Sequence, residues 1–249
     1  GTGIIDVGGK DELGVFCKVF SLLGTNGRII TDLDSLFSGK LRDVFCKDER
    51  VEQWLLKQEE KQKGFYKLIF TQKELASKAD NGKISLEKLI LRLERFLVVI
   101  GNEILDKADK GKSPKKLSIL VEKLEALKAK HVNAESIDTF KAVILQGILR
   151  YSDFLENYLS KKNAESILLV KNLYSIILAA AEAARVYILP KGCIEHYYVR
   201  NCVMFMPVSG KDRLFHAELE HILKSKRKRI RRDYSDLITI LEKALRSEK

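Results

Sequence analysis

Proline is scarce in this chain, with three among 249 residues, and glycine contributes only 15. That excludes long linkers of the Pro/Gly-rich disordered kind. Cysteine is scarce as well. Cys17, Cys46, Cys193 and Cys202 are scattered without Cys-x-x-Cys spacing. This excludes a disulfide framework or zinc ribbon and reads as buried thiols in a reducing compartment. Neither a signal peptide nor an apolar run long enough to span a membrane is evident, so a cytoplasmic chain is expected. There is no Gly-x-x-x-x-Gly-Lys-Ser/Thr motif. Gly8-Gly9-Lys10 falls short of it, so any ATP hydrolysis must come from another segment or chain. No internal repeat is found.

What is present is charge and helical periodicity. Charged residues make up 32% and hydrophobic ones 45%, the balance of a globular, helix-rich chain with room for a sizeable core. The net charge of +11 favours a polyanionic partner, nucleic acid ahead of an anionic membrane. Gly3 to Val7 reads as a short apolar strand, closed by Gly8-Gly9-Lys10. Asp11 is a candidate N-cap for a helix over about 11–23, with Leu13, Phe16, Cys17, Phe20 and Leu23 on its buried face. Arg28 to Thr31 is again apolar and β-branched. Strand, helix and strand in about thirty residues make a βαβ unit with parallel, buried strands. Asp32 and Asp34 follow at i and i+2. On an extended backbone they face the same way, beyond the strand's carboxyl end, where open α/β sheets bind ligands. Two like charges held there call for a cation, and hard oxygen ligands suit Mg²⁺ or Mn²⁺. A solvated loop with two acids fits the same spacing.

These residues carry a resemblance. Ile5-Asp-Val-Gly-Gly-Lys-Asp-Glu-Leu-Gly-Val-Phe16, followed by Ile29-Ile-Thr-Asp-Leu-Asp34, resembles the middle of a Toprim domain. It is closest to that of the overcoming-lysogenisation-defect (OLD) nucleases, which join an ABC-type ATPase to a C-terminal Toprim nuclease and often serve in antiphage defence. Toprim domains open with a strand and turn carrying a glutamate. The resemblance starts here at the second strand, and implies a piece of a longer protein or one of two pieces.

From Leu41 to about Ala184 charged and apolar residues recur at helical spacing. Val51, Leu55 and Leu56 mark one helix and Leu75-Ala76 a short one. A longer helix runs from the N-cap Ser85 to about Lys107, with Leu86, Leu89, Ile90, Leu93, Phe96, Leu97 and Ile100 on its core face. Ser113-Pro114 starts another as N-cap and first helical residue, with Leu117, Leu120, Val121, Leu124 and Leu127 following. Helices over about 134–160 and 163–184 complete a bundle of four to six. The Ala-rich stretch Ile176 to Ala184 implies close helix packing. The OLD Toprim also carries a helical subdomain after its Asp-x-Asp.

Arg185 to Leu189 reads as a returning strand. Leu189-Pro-Lys-Gly-Cys-Ile-Glu-His-Tyr-Tyr198 is similar to the OLD segment that re-enters the sheet, and by that match Glu195 is a third carboxylate beside Asp32 and Asp34. The family's closing segment carries a lysine that reaches the site. Lys211 in Val208-Ser-Gly-Lys-Asp-Arg213 is the candidate, with Lys191 as its competitor because it shares a turn with Glu195. His196 reads as structural, since hard-cation sites rarely need imidazole. The run from Lys224 through Lys226, Arg227, Lys228, Arg229, Arg231 and Arg232 is dense enough to follow a phosphate backbone. It contains no aromatic for base stacking. A solvated face or a contact with an acidic subunit fits it too. Asp233 to Leu245 reads as a final amphipathic helix.

The expected fold is α/β and mostly α overall. A small Toprim-like parallel sheet (residues 1–40 and 185–223) is interrupted by a large all-helical insertion (41–184), with a basic segment and C-terminal helix over 224–249. The expected function is a Mg²⁺- or Mn²⁺-dependent, two-metal endonuclease module cutting DNA. RNA is the alternative substrate, since phosphate gripping does not distinguish the two. An ABC-type ATPase partner and a homo-oligomer are expected. The alternative from another class is a non-catalytic scaffold that binds an ATPase subunit or nucleic acid.

Overall fold

A computed structural model describes residues 12–24, 27–61, 64–71, 74–75, 84–111, 114–129, 134–201 and 203–245. The expected strand Gly3–Val7, its Gly-Gly-Lys turn, the caps Asp11 and Ser113, and Ala76 and Cys202 lie outside these residues. The elements follow in order as α1 (Leu13–Leu22), β1 (Ile29–Thr31), α2 (Gly39–Phe45), α3 (Glu49–Lys61), α4 (Phe65–Ile69), α5 (Leu86–Asp109), α6 (Ser118–Ala129), α7 (Ala134–Tyr158) and α8 (Lys161–Ala183). Then come β2 (Val186–Ile188), α9 (Lys211–Lys224), α10 (Arg227–Asp233) and α11 (Ser235–Leu245). Helix makes up 76% of the structure, so it is mostly α around a small parallel sheet.

The body is built by α5 to α8, with α3 and α4 packed on α8. Ser85 caps α5 as its sequence suggests: the hydroxyl accepts from the Lys88 N–H at 3.3 Å. The apolar stripe Leu86, Leu89, Ile90, Leu93, Leu97 and Ile100 is buried, and Phe96 packs at its margin. Helices α5 and α7 approach so closely at Gly101 that a Cβ there would sit 2.3 Å from Ile144 Cδ1. Pro114 is not the first helical residue expected. Its extended backbone (φ −72°, ψ 145°) flanks a 3-10 turn, Lys115–Leu117, that leads into α6. By length and composition α8 is apolar enough to cross a membrane, contrary to the expectation that no segment is. Its apolar face is packed in the body, where Ile167, Val170, Leu173, Ile177, Ala180 and Ala181 are buried.

Strand β1 pairs with β2 in parallel, in the register Ile29 with Val186, Ile30 with Tyr187 and Thr31 with Ile188. Residues 157 positions apart in the chain thus lie side by side, with β2 packed against α8. Arg185 supplies the break between α8 and β2 at φ 64°, a left-handed conformation usually left to glycine. The Arg50 guanidinium steadies the corner by donating to the Ala184 carbonyl at 3.3 Å. The face expected on the first helix is only partly buried: Leu13 is in the core, but Leu23, just past the end of α1, is 67% exposed. Leu56 on α3 is likewise exposed.

Candidate functional site at the ends of the parallel strands

Beyond their carboxyl ends the two strands stay tied together. The Leu189 N–H donates to the Thr31 carbonyl at 2.8 Å, and the Leu33 N–H to the Gly192 carbonyl at 2.6 Å. The loop after β1 therefore lies against the loop after β2. Asp32 is extended (φ −68°, ψ 159°) and half-buried. The strand stops before it, and residues Leu33–Leu36 form a 3-10 turn whose Leu33, Ser35 and Leu36 are buried. Asp34 thus sits inside a 3-10 turn, with three residues per turn, where positions two apart do not share a face. The strand periodicity that aligned Asp32 with Asp34 does not apply. The turn is pinned by the buried Thr31–Ser35 hydroxyl pair at 2.7 Å and rests on α7.

Glu195 lies in the second 3-10 turn, Ile194–Tyr197, and is only 4% exposed. Its Oε1 faces Lys211 Nζ at 3.4 Å. Its Oε2 is buried with no hydrogen-bond partner among the described residues. Burial pushes the carboxyl's pKa up, but the Cys193 thiol, the turn's own backbone and the Lys211 ammonium outweigh it, so it stays below the usual range. Lys211 is 52% exposed along its side chain and opens α9 after the left-handed Gly210 (φ 66°). A cation at a helix N-terminus opposes the helix dipole, so the helix itself does not account for it. Burial lowers the Lys211 pKa, but the charges of Glu195 and Asp32 reverse this and raise it. Asp32, Glu195 and Lys211 therefore share one electrostatic neighbourhood.

Lys191 points elsewhere. Its Nζ pairs with Asp236 at 2.6 Å and lies 5.1 Å from the centre of the Tyr197 ring. Between the two candidate lysines the structure brings Lys211, not Lys191, to Glu195. His196 is half-buried beside Cys193 and Gln146, and burial holds its pKa low. The Cys193 thiol is pushed up first by burial and then by Glu195, which makes it a poor nucleophile.

The basic run is largely helical. In α10, Arg227, Lys228, Arg229, Arg231 and Arg232 are exposed, and Lys224 and Lys226 stand before them. Arg229 and Arg232 both engage Asp233, and Lys224 pairs with Glu220. Lys226, Arg227, Lys228 and Arg231 pair with no acid among the described residues.

Sequence reasoning passed over Gln146 and Gly192. Gln146 is a lone amide in the run Ala142-Val-Ile-Leu-Gln-Gly-Ile148, and a polar side chain inside such a run was the available signal. Gly192 has φ 133°, and a Cβ there would lie 2.3 Å from Gln146 Nε2 and 2.9 Å from His196 Nδ1.

The arrangement is a half-buried aspartate, a buried glutamate and a lysine at the ends of adjacent parallel strands. Among the described residues no three His, Cys, Asp or Glu side chains converge as a metal-ligand group. Two carboxylates, one with an orphaned buried oxygen, still suit a hard ion that keeps several of its waters. No family model matches the chain, and neither a curated protein nor a solved structure matches it.

Proposed function

We propose that the chain is the site-bearing part of a Toprim-type, divalent-metal-dependent endonuclease module acting on DNA phosphodiesters, of the kind that OLD nucleases couple to an ABC-type ATPase in antiphage defence. The observation that carries this reading is the parallel pairing of β1 with β2. It supports a grouping of Asp32, Glu195 and Lys211 beyond the strand ends, with Glu195 Oε2 lacking a hydrogen-bond partner among the described residues. In this reading Asp32 and Glu195 hold Mg²⁺ or Mn²⁺, with Asp34 at its margin. The bound ion supplies Lewis acidity and an activated water. Lys211 offsets negative charge on a phosphate oxygen, at the mouth of the site where its ammonium is half exposed. The free cations of α10 grip the backbone without reading bases, so RNA is bound on the same terms as DNA. The resemblance implies a further glutamate on an earlier Toprim strand, and the assay is run with such a strand supplied.

Asp32→Asn and Asp34→Asn each retain size and hydrogen-bonding capacity but remove a charge. Both are expected to abolish Mg²⁺- or Mn²⁺-dependent nicking of plasmid DNA while leaving the fold intact. Wild-type nicking by the double variant, free of contaminating nuclease, removes the catalytic assignment. A second reading is a non-catalytic scaffold for an ATPase subunit or nucleic acid. On that reading Mn²⁺ leaves the melting temperature unchanged and both substitutions are silent in partner binding.

A further inference from the structure

The residue that α9 buries is a charged one. Glu218 is 1% exposed, and its partners are three uncharged donors. Its Oε1 accepts from the Val199 N–H at 2.6 Å and from the Tyr234 hydroxyl, and its Oε2 accepts from the Arg200 N–H at 3.0 Å. Hydrogen bonds to the charged form are what let a carboxylate stay ionised in such a place. An amide there would offer one acceptor oxygen and turn an N–H against one of the three donors. Tyr234 is itself buried, and burial, followed by the Glu218 carboxylate, pushes its phenol up, so it remains a donor.

The donors belong to two segments. Val199 and Arg200 follow the 3-10 turn that carries Glu195, and α9 packs on that turn. Tyr234 is the C-cap of the basic helix α10. Lys211 and Glu218 stand seven residues apart on α9, two turns and about 10 Å along one face. The helix is thus tied to residues 195–200 at two points, Lys211 to Glu195 and Glu218 to the two N–H groups. The ties are unequal. Lys211 is half exposed, and an ion pair open to solvent fixes little by itself. Buried hydrogen bonds to a carboxylate are the stronger, directional kind. Packing does not explain Glu218 either, since an apolar side chain of like volume in place of a buried charge is often neutral or stabilising.

We propose that Glu218 is a positioning residue: it sets α9, and with it the Lys211 ammonium, on the Glu195 turn, and through Tyr234 it registers the cations of α10 on the same anchor. The inference rests on the reading of Lys211 as a site residue and of α10 as the grip on nucleic acid. One carboxylate then references both the charge at the site and the hold on the backbone.

The test uses the full chain without metal. The Lys211 ammonium is followed by ¹⁵N NMR, its signal identified by its loss in Lys211→Arg, and duplex DNA affinity by fluorescence anisotropy. Glu195→Gln removes the partner and marks the signal of a released Lys211. Glu218→Gln is expected to move the signal to that place and to weaken duplex binding at least about threefold, although it removes an acid. Tyr234→Phe deletes one hydroxyl, so the Lys211 signal should stay and only the affinity should fall. Both variants keep every cation, so the salt slope should hold its wild-type value, which separates lost register from lost charge. If Glu218→Gln does not fold, Glu218→Asp, which keeps the charge but falls short of the three donors, is read in its place. A wild-type Lys211 signal in the folded Glu218 variant overturns the proposal, as does wild-type affinity in Tyr234→Phe. A lowered melting temperature without these changes does the same, since that is all a purely structural acid gives. A wild-type chain that binds no duplex fails the nuclease reading instead, and the Lys211 signal still decides the positioning.

Discussion

Replacing Gly192 by alanine tests the join between the helical body and the strand loops. The backbone there has φ 133°, where an L side chain is strained whatever space surrounds it. Holding a non-glycine residue in such a region costs about 1–3 kcal/mol. The added Cβ would also lie 2.3 Å from Gln146 Nε2 and 2.9 Å from two atoms of the His196 ring. Forcing a methyl group into a packed interior costs about 1–3 kcal/mol more. The expected loss is therefore about 2–6 kcal/mol, a large share of the roughly 5–15 kcal/mol that holds a typical domain together. Urea unfolding followed by the single tryptophan, Trp54, which packs against the core, measures it. The two contributions separate in a Gln146→Ala background. There the clash with the amide is gone and only that with the His196 ring adds to the backbone strain, so the Gly192→Ala penalty should shrink. A loss below about 1 kcal/mol in the wild-type background would refute this account of the loop. So would an equal penalty in both backgrounds, since Gln146 would then not fill the space beside Gly192.

Two further outcomes are expected. Neutralising Lys226, Arg227, Lys228 and Arg231, the cations of the basic run that pair with no acid among the described residues, should weaken nucleic-acid binding for all sequences alike. It should flatten the log–log salt dependence by up to about 3–4 for duplex DNA, and an unchanged slope assigns the helix to a protein contact. Glu74 is held down to about 2, chiefly by its hydrogen bond from Arg92 and further by Thr71. A carboxyl lowered in the folded state stabilises fully above its unfolded value near 4.5 and loses this as pH falls toward 2. The difference in melting temperature between wild type and Glu74→Gln should accordingly close over that window, and a difference constant from neutral pH to 2 would contradict it.

The helical body was largely legible because its signals are local. Ser85 followed by leucines and isoleucines at three- and four-residue spacing encodes both a cap and a buried stripe, and both are found. The pairing of Arg28–Thr31 with Arg185–Leu189 came from the resemblance of their flanking motifs, not from periodicity. Periodicity misled at Asp34, because the strand ends at Thr31 and the next residues tighten into a 3-10 turn. It misled at Leu23 too, where an apolar residue in register with α1 is left exposed. Lys191 and Lys211 could not be ranked from sequence. What separates them is Asp236, 45 residues beyond Lys191, which takes Lys191 out of the site. Gln146 escaped notice for the same reason, since its partners lie 45, 50 and 60 residues away.

Mn²⁺ binding to the wild-type chain and to Glu195→Gln, followed by the EPR signal of the free ion, tests the central claim most directly. The variant removes the buried charge but keeps the side chain's shape, so far-UV circular dichroism should be unchanged. The wild type is expected to take up Mn²⁺, and the variant to bind it at least about tenfold more weakly, equivalent to about 1.4 kcal/mol. Equal uptake by the two proteins, or no uptake by either, would contradict a metal site built on Asp32 and Glu195.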